Sequence, residues 1–433
     1  MSRDESGRSG IAVVGGSLAG LRAAEQLRAA GHTEPITVFS DEHHLPYNRP
    51  PLSKEVLADP AHHTAELMFD RLAFRRRKST ADVDFQLGAR VRSADIKAGT
   101  LTLESGGTEP WAGLVVATGL RPRRLNVDGP EVGRHVLRTI DNVLSLRSAL
   151  GDASEIVVIG AGFIGCETAC TLLKLGHRVT VVEPTGAPMN RVLGAELAHA
   201  VQTHHEAAGI RFLIGPGVSG FTGDERVTGV TLDSGETLPA DVVVESVGSI
   251  CNTEWLEGNA GIDLTDGILT DNDLAVEGAH RVVAVGDVAR FPNPLFDSVP
   301  RRVEHWSIPT DTAKRAAATL HAQLTDSTVD LPPFVPVPSF WSDQLDLRFQ
   351  SYGSPGLADT VETVEGDLGD LPGGVLTRYS RGGRLVGSVV INLSGARQRE
   401  LREEFVALSP VVPSLPSASP TPEMQVSHGH HSS

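Results

Sequence analysis

Cysteine is scarce in this chain: Cys166, Cys170 and Cys251 are the only three in 433 residues. Three thiols cannot build a disulfide framework, and no C-x-x-C pair marks a dithiol redox centre. Basic residues are outnumbered, 38 against 54 acidic ones, and the net charge of −16 argues against general nucleic-acid binding. No run of 18 apolar residues occurs, so no membrane-spanning segment is expected. Nor does the polar stretch Met1 to Gly10 have the apolar core of a secretory signal. The expectation is a cytoplasmic protein with no nucleic-acid or membrane partner. No metal centre is expected either. His428, His430 and His431 lie in a Pro/Ser/Thr-rich stretch, residues 409–433, whose composition is that of a disordered tail.

Glycine, in contrast, is abundant and patterned, with 45 residues. The short apolar strand Ile11 to Val14 runs into Gly15-Gly16-Ser17-Leu18-Ala19-Gly20 and a helical stretch to Ala30. Ile156 to Ile159 repeats the pattern, with Gly160-Ala161-Gly162-Phe163-Ile164-Gly165 and a helix through Leu175. Gly31 and Gly176 follow as left-handed helix ends, and β-branched strands come next, Ile36 to Phe39 and Val179 to Val182. Two strand–turn–helix–strand units predict two doubly wound, Rossmann-like dinucleotide-binding domains, an α/β fold. After about residue 331, shorter β-like segments (Leu345 to Tyr352, Gly374 to Tyr379, Leu385 to Ile391) suggest a C-terminal α+β domain.

The second turn has all three glycines of the fingerprint: one for the tight turn, one for close approach to a pyrophosphate, one for helix–strand packing. Glu183 ends the next strand, where a carboxylate accepts from an adenosine 2′-hydroxyl and repels a 2′-phosphate. That favours NADH over NADPH. In the first turn Ser17 replaces the middle glycine, and Asp41 is the candidate ribose acid. The run Pro46-Tyr47-Asn48-Arg49-Pro50-Pro51-Leu52-Ser53-Lys54 uses three prolines to limit the freedom of Arg49 and Lys54. Leu114 to Gly119 and Val282 to Asp287 read as two further strands ending in tight turns.

The combination of Gly15–Gly20, Pro46–Lys54, Ala117–Gly119, Gly160–Gly165 and Gly286–Asp287 resembles the FAD-dependent ferredoxin reductases of oxygenase systems. Val303-Glu304-His305-Trp306-Ser307 and Phe340-Trp341-Ser342-Asp343-Gln344 extend the resemblance, which covers Ile11 to Leu408. It implies FAD and NADH as cofactors, with a hydride passing from nicotinamide to flavin. An acidic iron–sulfur ferredoxin would then take single electrons on to an oxygenase such as a cytochrome P450. The chain would be a monomer or a homodimer.

By the same resemblance Gly15, Ser17, Ala19, Gly20, Asp41, Arg49, Lys54, Val91, Ala117, Thr118, Gly119, Arg138, Gly286, Asp287 and Trp306 line the FAD site. Gly160, Gly162, Ile164, Gly165, Glu167, Glu183, Arg191 and Gly248 face NADH, and Lys54 pairs with Glu167 between the cofactors. Residues 1–120 and 252–330 would hold FAD, 121–251 NADH, and 331–408 would form the third domain. Ser307 is expected to cap a helix with Pro309 in its first turn, running through Leu320. Cys251 and Ile308-Pro309-Thr310 depart from the residues usual at those positions. Cys166 and Cys170, four apart on one helix, read as packing because i and i+4 thiols do not suit a low-strain disulfide. The basic run Arg75-Arg76-Arg77-Lys78 reads either as a solvated face or as a docking patch, with Lys314 and Arg315 as further docking candidates. Two other readings stay open: a redox-signalling protein resembling apoptosis-inducing factor, and an NADH oxidase or quinone reductase.

Overall fold

The structure, a computed structural model, describes residues 10–59, 61, 64–328 and 331–408. The segment before residue 10 and the histidine-bearing stretch 409–433 lie outside the described residues.

The strand Ile11–Val14 sits inside a five-stranded parallel sheet, in the order Val282–Ala284, Gly113–Val116, Ile11–Val14, Ile36–Phe39, Asp84–Gln86. A second parallel sheet has the order Arg211–Ile214, Arg178–Glu183, Glu155–Ile159, Val242–Glu245, Arg134–His135. In both, the strand feeding the glycine turn has its successor on one side and a much later strand on the other. The strand order therefore reverses at each glycine turn, which opens a crevice beyond the carboxyl ends of the strands. Ile-Ala-Val-Val, Gly-Leu-Val-Val and Val-Val-Val-Glu are buried along their length, as strands covered on both faces must be. Each sheet with its helices is called a lobe below.

Helix Leu18–Ala29 follows the first turn and Phe163–Lys174 the second. Gly31 and Gly176 then take positive φ, +92° and +93°, and reverse the chain into the next strand. Helix Leu18–Ala29 packs against Ile308–Leu324, which ends four residues later than Leu320. Ser307 precedes that helix in right-handed helical geometry, and its hydroxyl makes no capping bond. A serine cap needs extended backbone to reach back to the helix N–H groups, so the expected cap is absent.

The chain crosses between lobes through Leu120–Pro122 and Ser249–Cys251, which pair antiparallel in a two-stranded ribbon. The third sheet is antiparallel, in the order Ser339–Gln344, Leu347–Gly353, Arg384–Ile391, Val375–Arg381, Thr360–Glu365, with helix Gly395–Ala407 against it. Ser339–Gln344 and Thr360–Glu365 are strands that the sequence reading did not pick out. Thr360–Glu365 is a largely exposed edge strand, and Ser339–Gln344 buries Ser342 and Gln344 while exposing Trp341. Neither carries the apolar alternation that marks a strand.

Candidate functional site

Gly15 and Gly160 make the two tight turns possible. Their φ angles are +119° and +96°, and a Cβ would lie 2.1 Å from the Ala117 carbonyl oxygen and 2.3 Å from that of Ser246. Only glycine fits such a conformation and approach. Gly162 is different: no atom lies within 4 Å of where its Cβ would be. Its missing side chain leaves open the face at the N-terminus of helix Phe163–Lys174, where free N–H groups and the helix dipole favour a phosphate. Ser17 holds the matching position in the first turn, and its hydroxyl makes no capping bond. Glu183 reaches back to the second turn. One carboxylate oxygen accepts from the Ala161 N–H at 2.9 Å, the other from the Thr185 N–H and hydroxyl at 2.9 and 2.6 Å. Burial alone would raise its pKa, but the bonds from Thr185 and Ala161, with Arg191 nearby, hold it below the usual carboxylate value.

A charged pair lies at the helix that follows the second turn. Lys54 Nζ is 2.8 Å from Glu167 Oε2, with side chains 13% and 6% exposed. Ser53 Oγ donates to the same oxygen at 2.6 Å, and Ser342 Oγ donates to Oε1 at 2.6 Å. Gln344 Nε2 donates to Ser342 Oγ at 3.0 Å. Three segments thus converge on one carboxylate: the proline-braced run before Lys54, the second nucleotide-turn helix, and the first strand of the third sheet. Lys54 Nζ also donates to the Pro50 carbonyl at 3.2 Å, which keeps the ammonium against the rigid run.

On the first-lobe side, Arg138 Nη2 lies 3.8 Å from Asp287 Oδ2. Burial pushes the Asp287 carboxyl up against the opposing pull of Arg138, and burial with Arg49 nearby pulls the Arg138 guanidinium down. Gly286, beside Asp287, abuts Ala19 of the first turn, and its N–H donates to Thr312 Oγ1 at 3.0 Å. Arg138 also approaches Gly119, while Thr118 Oγ1 donates to the Asn252 carbonyl at 2.7 Å. Arg49 donates to the Arg138 carbonyl at 2.9 Å and pairs with Glu42. The structure therefore brings Ala19, Arg49, Thr118, Gly119, Arg138, Gly286 and Asp287 together in one chain of contacts.

Several buried polar atoms here have no protein partner: Arg138 Nε, Asn48 Oδ1, His305 Nδ1 and Ser307 Oγ. Buried polar groups are ordinarily satisfied, so these unpaired atoms are open to a polar ligand. Burial lowers the His305 imidazole to about 4, which keeps it neutral at physiological pH. His305 packs edge-on to Phe340 at 4.9 Å, and Phe340 packs edge-on to Phe163 at 4.6 Å. One residue further along each segment, Trp306 and Trp341 pack edge-on at 5.4 Å and are 40% and 37% exposed.

The other expected residues take different places. Asp41 is exposed and lies 3.8 Å from Arg90, whereas its neighbour Glu42 accepts from Tyr47 Oη at 2.5 Å and pairs with Arg49. Val91 is buried in the first-lobe core. Ile164 and Arg191 are exposed beyond the second turn, and Gly248 has φ +94° with open space where a Cβ would be. Ala117 forms the floor under Gly15, while Gly20 and Gly165 pack beneath Gly15 and Gly160. Ser53, Ser342, Gln344 and Glu42 were missed as site residues. The signals available for Ser342 and Gln344 were their place in the Phe340–Gln344 motif and their i, i+2 spacing on a strand.

The basic run is only partly free. Arg77 pairs with buried Glu25 at 3.4 Å, and Arg76 lies over Phe85 and donates to two backbone carbonyls. Arg315 is 7% exposed, 3.1 Å from Asp273, and also bonds the Pro332 carbonyl, which removes it from any docking face. Cys166 and Cys170 are buried free thiols, and burial pushes Cys170 up to about 12. No group of three potential metal ligands occurs among the described residues, and no described helix is long and apolar enough to cross a membrane.

Two strand–glycine turn–helix units, each where the strand order of its sheet reverses, define a protein of two dinucleotide-binding lobes. The chain belongs to the pyridine nucleotide-disulphide oxidoreductase family, whose description matches residues 9–313. It is therefore an oxidoreductase of a family that binds flavin and pyridine nucleotide. It is 33% identical over 384 residues to the ferredoxin reductase component of a chlorobenzene dioxygenase from Cupriavidus sp. (strain PS12), covering 88% of this chain and 89% of that one. With rhodocoxin reductase of Rhodococcus erythropolis it shares 35% identity over 355 residues, 81% of this chain and 79% of the relative. The crystal structure of the ferredoxin reductase for the CYP199A2 system from Rhodopseudomonas palustris superposes with a TM-score of 0.82. The two are 34% identical, with 93% of this chain and 95% of that one covered.

Proposed function

We propose that the chain is an FAD-containing reductase that draws electrons from NADH and delivers them singly to a small acidic iron–sulfur ferredoxin serving an oxygenase. The Lys54–Glu167 pair, which joins the proline-braced run to the helix of the second glycine turn, carries the reading. When bound, flavin accepts a two-electron hydride from nicotinamide and releases electrons one at a time. In this reading residues 1–120 and 252–330 hold FAD, 121–251 hold NADH, and 331–408 close the site.

The residues divide the work. Lys54 sets a positive charge where negative charge grows on reduction, and Glu167 restrains that charge. The N-terminus of helix Ile308–Leu324 adds its dipole on the same side. Arg138 and Asp287 answer the phosphate and hydroxyl groups of FAD, with Ser17 donating to its pyrophosphate. Gly162 admits the NADH pyrophosphate, and Glu183 accepts from the adenosine diol. The exposed Trp306–Trp341 pair offers a partner an apolar landing face, with exposed Lys314 supplying positive charge. The relatives named for ferredoxin and rhodocoxin support a protein acceptor.

Stopped-flow reduction by NADH and by NADPH, followed by cytochrome c reduction with and without added ferredoxin, tests the proposal. The expected result is a yellow protein bleached faster by NADH, with cytochrome c turnover that needs ferredoxin. Fast turnover on oxygen or quinone that ferredoxin does not raise would overturn it. So would slow bleaching followed by a persistent charge-transfer band.

A further inference from the structure

The third sheet does more than close the site. Ser342 and Gln344 are both fully buried on the inward face of strand Ser339–Gln344, where apolar side chains are the ordinary choice. Their polar atoms form a directed line. Gln344 Nε2 donates to Ser342 Oγ at 3.0 Å, and the Ser342 hydroxyl donates to Glu167 Oε1 at 2.6 Å. Because the amide nitrogen facing Ser342 can only donate, the one hydroxyl proton is committed to the carboxylate. Gln344 Nε2 also reaches Met189 Sδ at 3.3 Å, and the Met189 N–H donates to the Ala161 carbonyl at 2.8 Å. The line is thereby tied to the second glycine turn.

A glutamate carboxylate turns easily about its last torsion, which is broad and two-fold. Lys54 and Ser53 both engage Oε2, and that leaves the torsion to be fixed from the other side. We propose that Ser342, held by Gln344, is a positioning residue for electron entry: it pins Oε1 of Glu167 so that Oε2 stays on Lys54. The proposal rests on the flavin–nicotinamide reading above. Burying a serine and a glutamine costs free energy unless each is paired, and Gln344 Oε1 has no partner in the structure. Apolar residues would pack the same strand without that cost but could not hold the carboxylate.

The test is a double-mutant cycle with Ser342→Ala, Glu167→Ala and the double variant. Two quantities are measured: the limiting rate of flavin bleaching with the NADH dissociation constant, and the melting temperature of flavin-free protein. Ser342→Ala is expected to lower the limiting rate about tenfold, equivalent to about 1.4 kcal/mol, and to change NADH affinity less than twofold. In the Glu167→Ala background the same change is expected to do nothing further to the rate, and the melting shifts are expected to be non-additive. Independent effects in the cycle, or a loss confined to NADH affinity, would overturn the proposal. Gln344→Met keeps the volume and removes the donor. It serves if Ser342→Ala does not fold, with a smaller loss of rate expected and an unchanged rate counting against the proposal. Wild-type protein that takes up no flavin would defeat the functional reading alone, since the melting cycle still reports whether Ser342 acts through Glu167.

Discussion

Lys54 Nζ and Glu167 Oε2 meet at 2.8 Å although one follows a proline-braced loop of the first lobe and the other lies on the turn helix of the second. Removing one partner of a buried pair costs about 3–5 kcal/mol, and the small exposure of Lys54 reduces this. Lys54→Met is expected to lose about 2 kcal/mol of stability in a denaturant titration and to slow bleaching by NADH at least tenfold. Unchanged stability would show that the pair is open in solution.

The glycines separate folding from binding. Gly162→Ala is expected to leave the melting temperature nearly unchanged, because its backbone is extended and its surroundings are open. NADH affinity should fall at least tenfold, roughly 1.4 kcal/mol, as a methyl blocks the pyrophosphate face. Gly160→Ala is expected to destabilise the protein by several times more than ordinary surface changes of about 0.5 kcal/mol. Calorimetry with coenzyme titration reads both.

Coenzyme choice should follow Glu183, whose charge is held by Thr185 and Ala161. Glu183→Ala is predicted to weaken NADH binding about tenfold, near 1.4 kcal/mol, and to bring NADPH to comparable affinity by removing like-charge repulsion. A retained NADH preference in competition binding would assign the discrimination elsewhere.

Acid should destabilise the protein through its histidines. His32, His135, His205 and His305 are lowered from 6.5 to about 4, each chiefly by burial. Between those values the unfolded chain binds more protons than the folded one, so stability rises with pH there and is lost as pH falls from 6.5 toward 4. The denaturation midpoint is expected to fall through that window. His205→Phe, at a fully buried site stacked on Phe212, should make the fall shallower. An identical slope would remove His205 from the account.

The nucleotide turns were legible because their geometry depends on glycine and on apolar strands with a single use. Glu167 was reached through the family resemblance, since a lone acid on a helix has no local pattern that sets it apart. The ties of Glu42 to Tyr47 and Arg49 were not legible, because a single-residue offset at a strand end decides which of two adjacent acids turns inward. Ser342 and Gln344 were hidden by inversion: polar residues face inward and Trp341 outward, against the rule that locates strands. The uses of Arg77 and Arg315 depended on Glu25 and Asp273, buried or neighbouring partners that no local pattern reveals.

The paired ribbon at Leu120–Pro122 and Ser249–Cys251 carries both chain crossings side by side. The two crossings are therefore coupled to each other, while the second lobe is also fastened by a buried core that it shares with Leu52, Val56 and Leu57 and with the third sheet. The ribbon strands begin directly after Gly119 and Gly248, so a change in their pairing would reach both proposed cofactor sites at once.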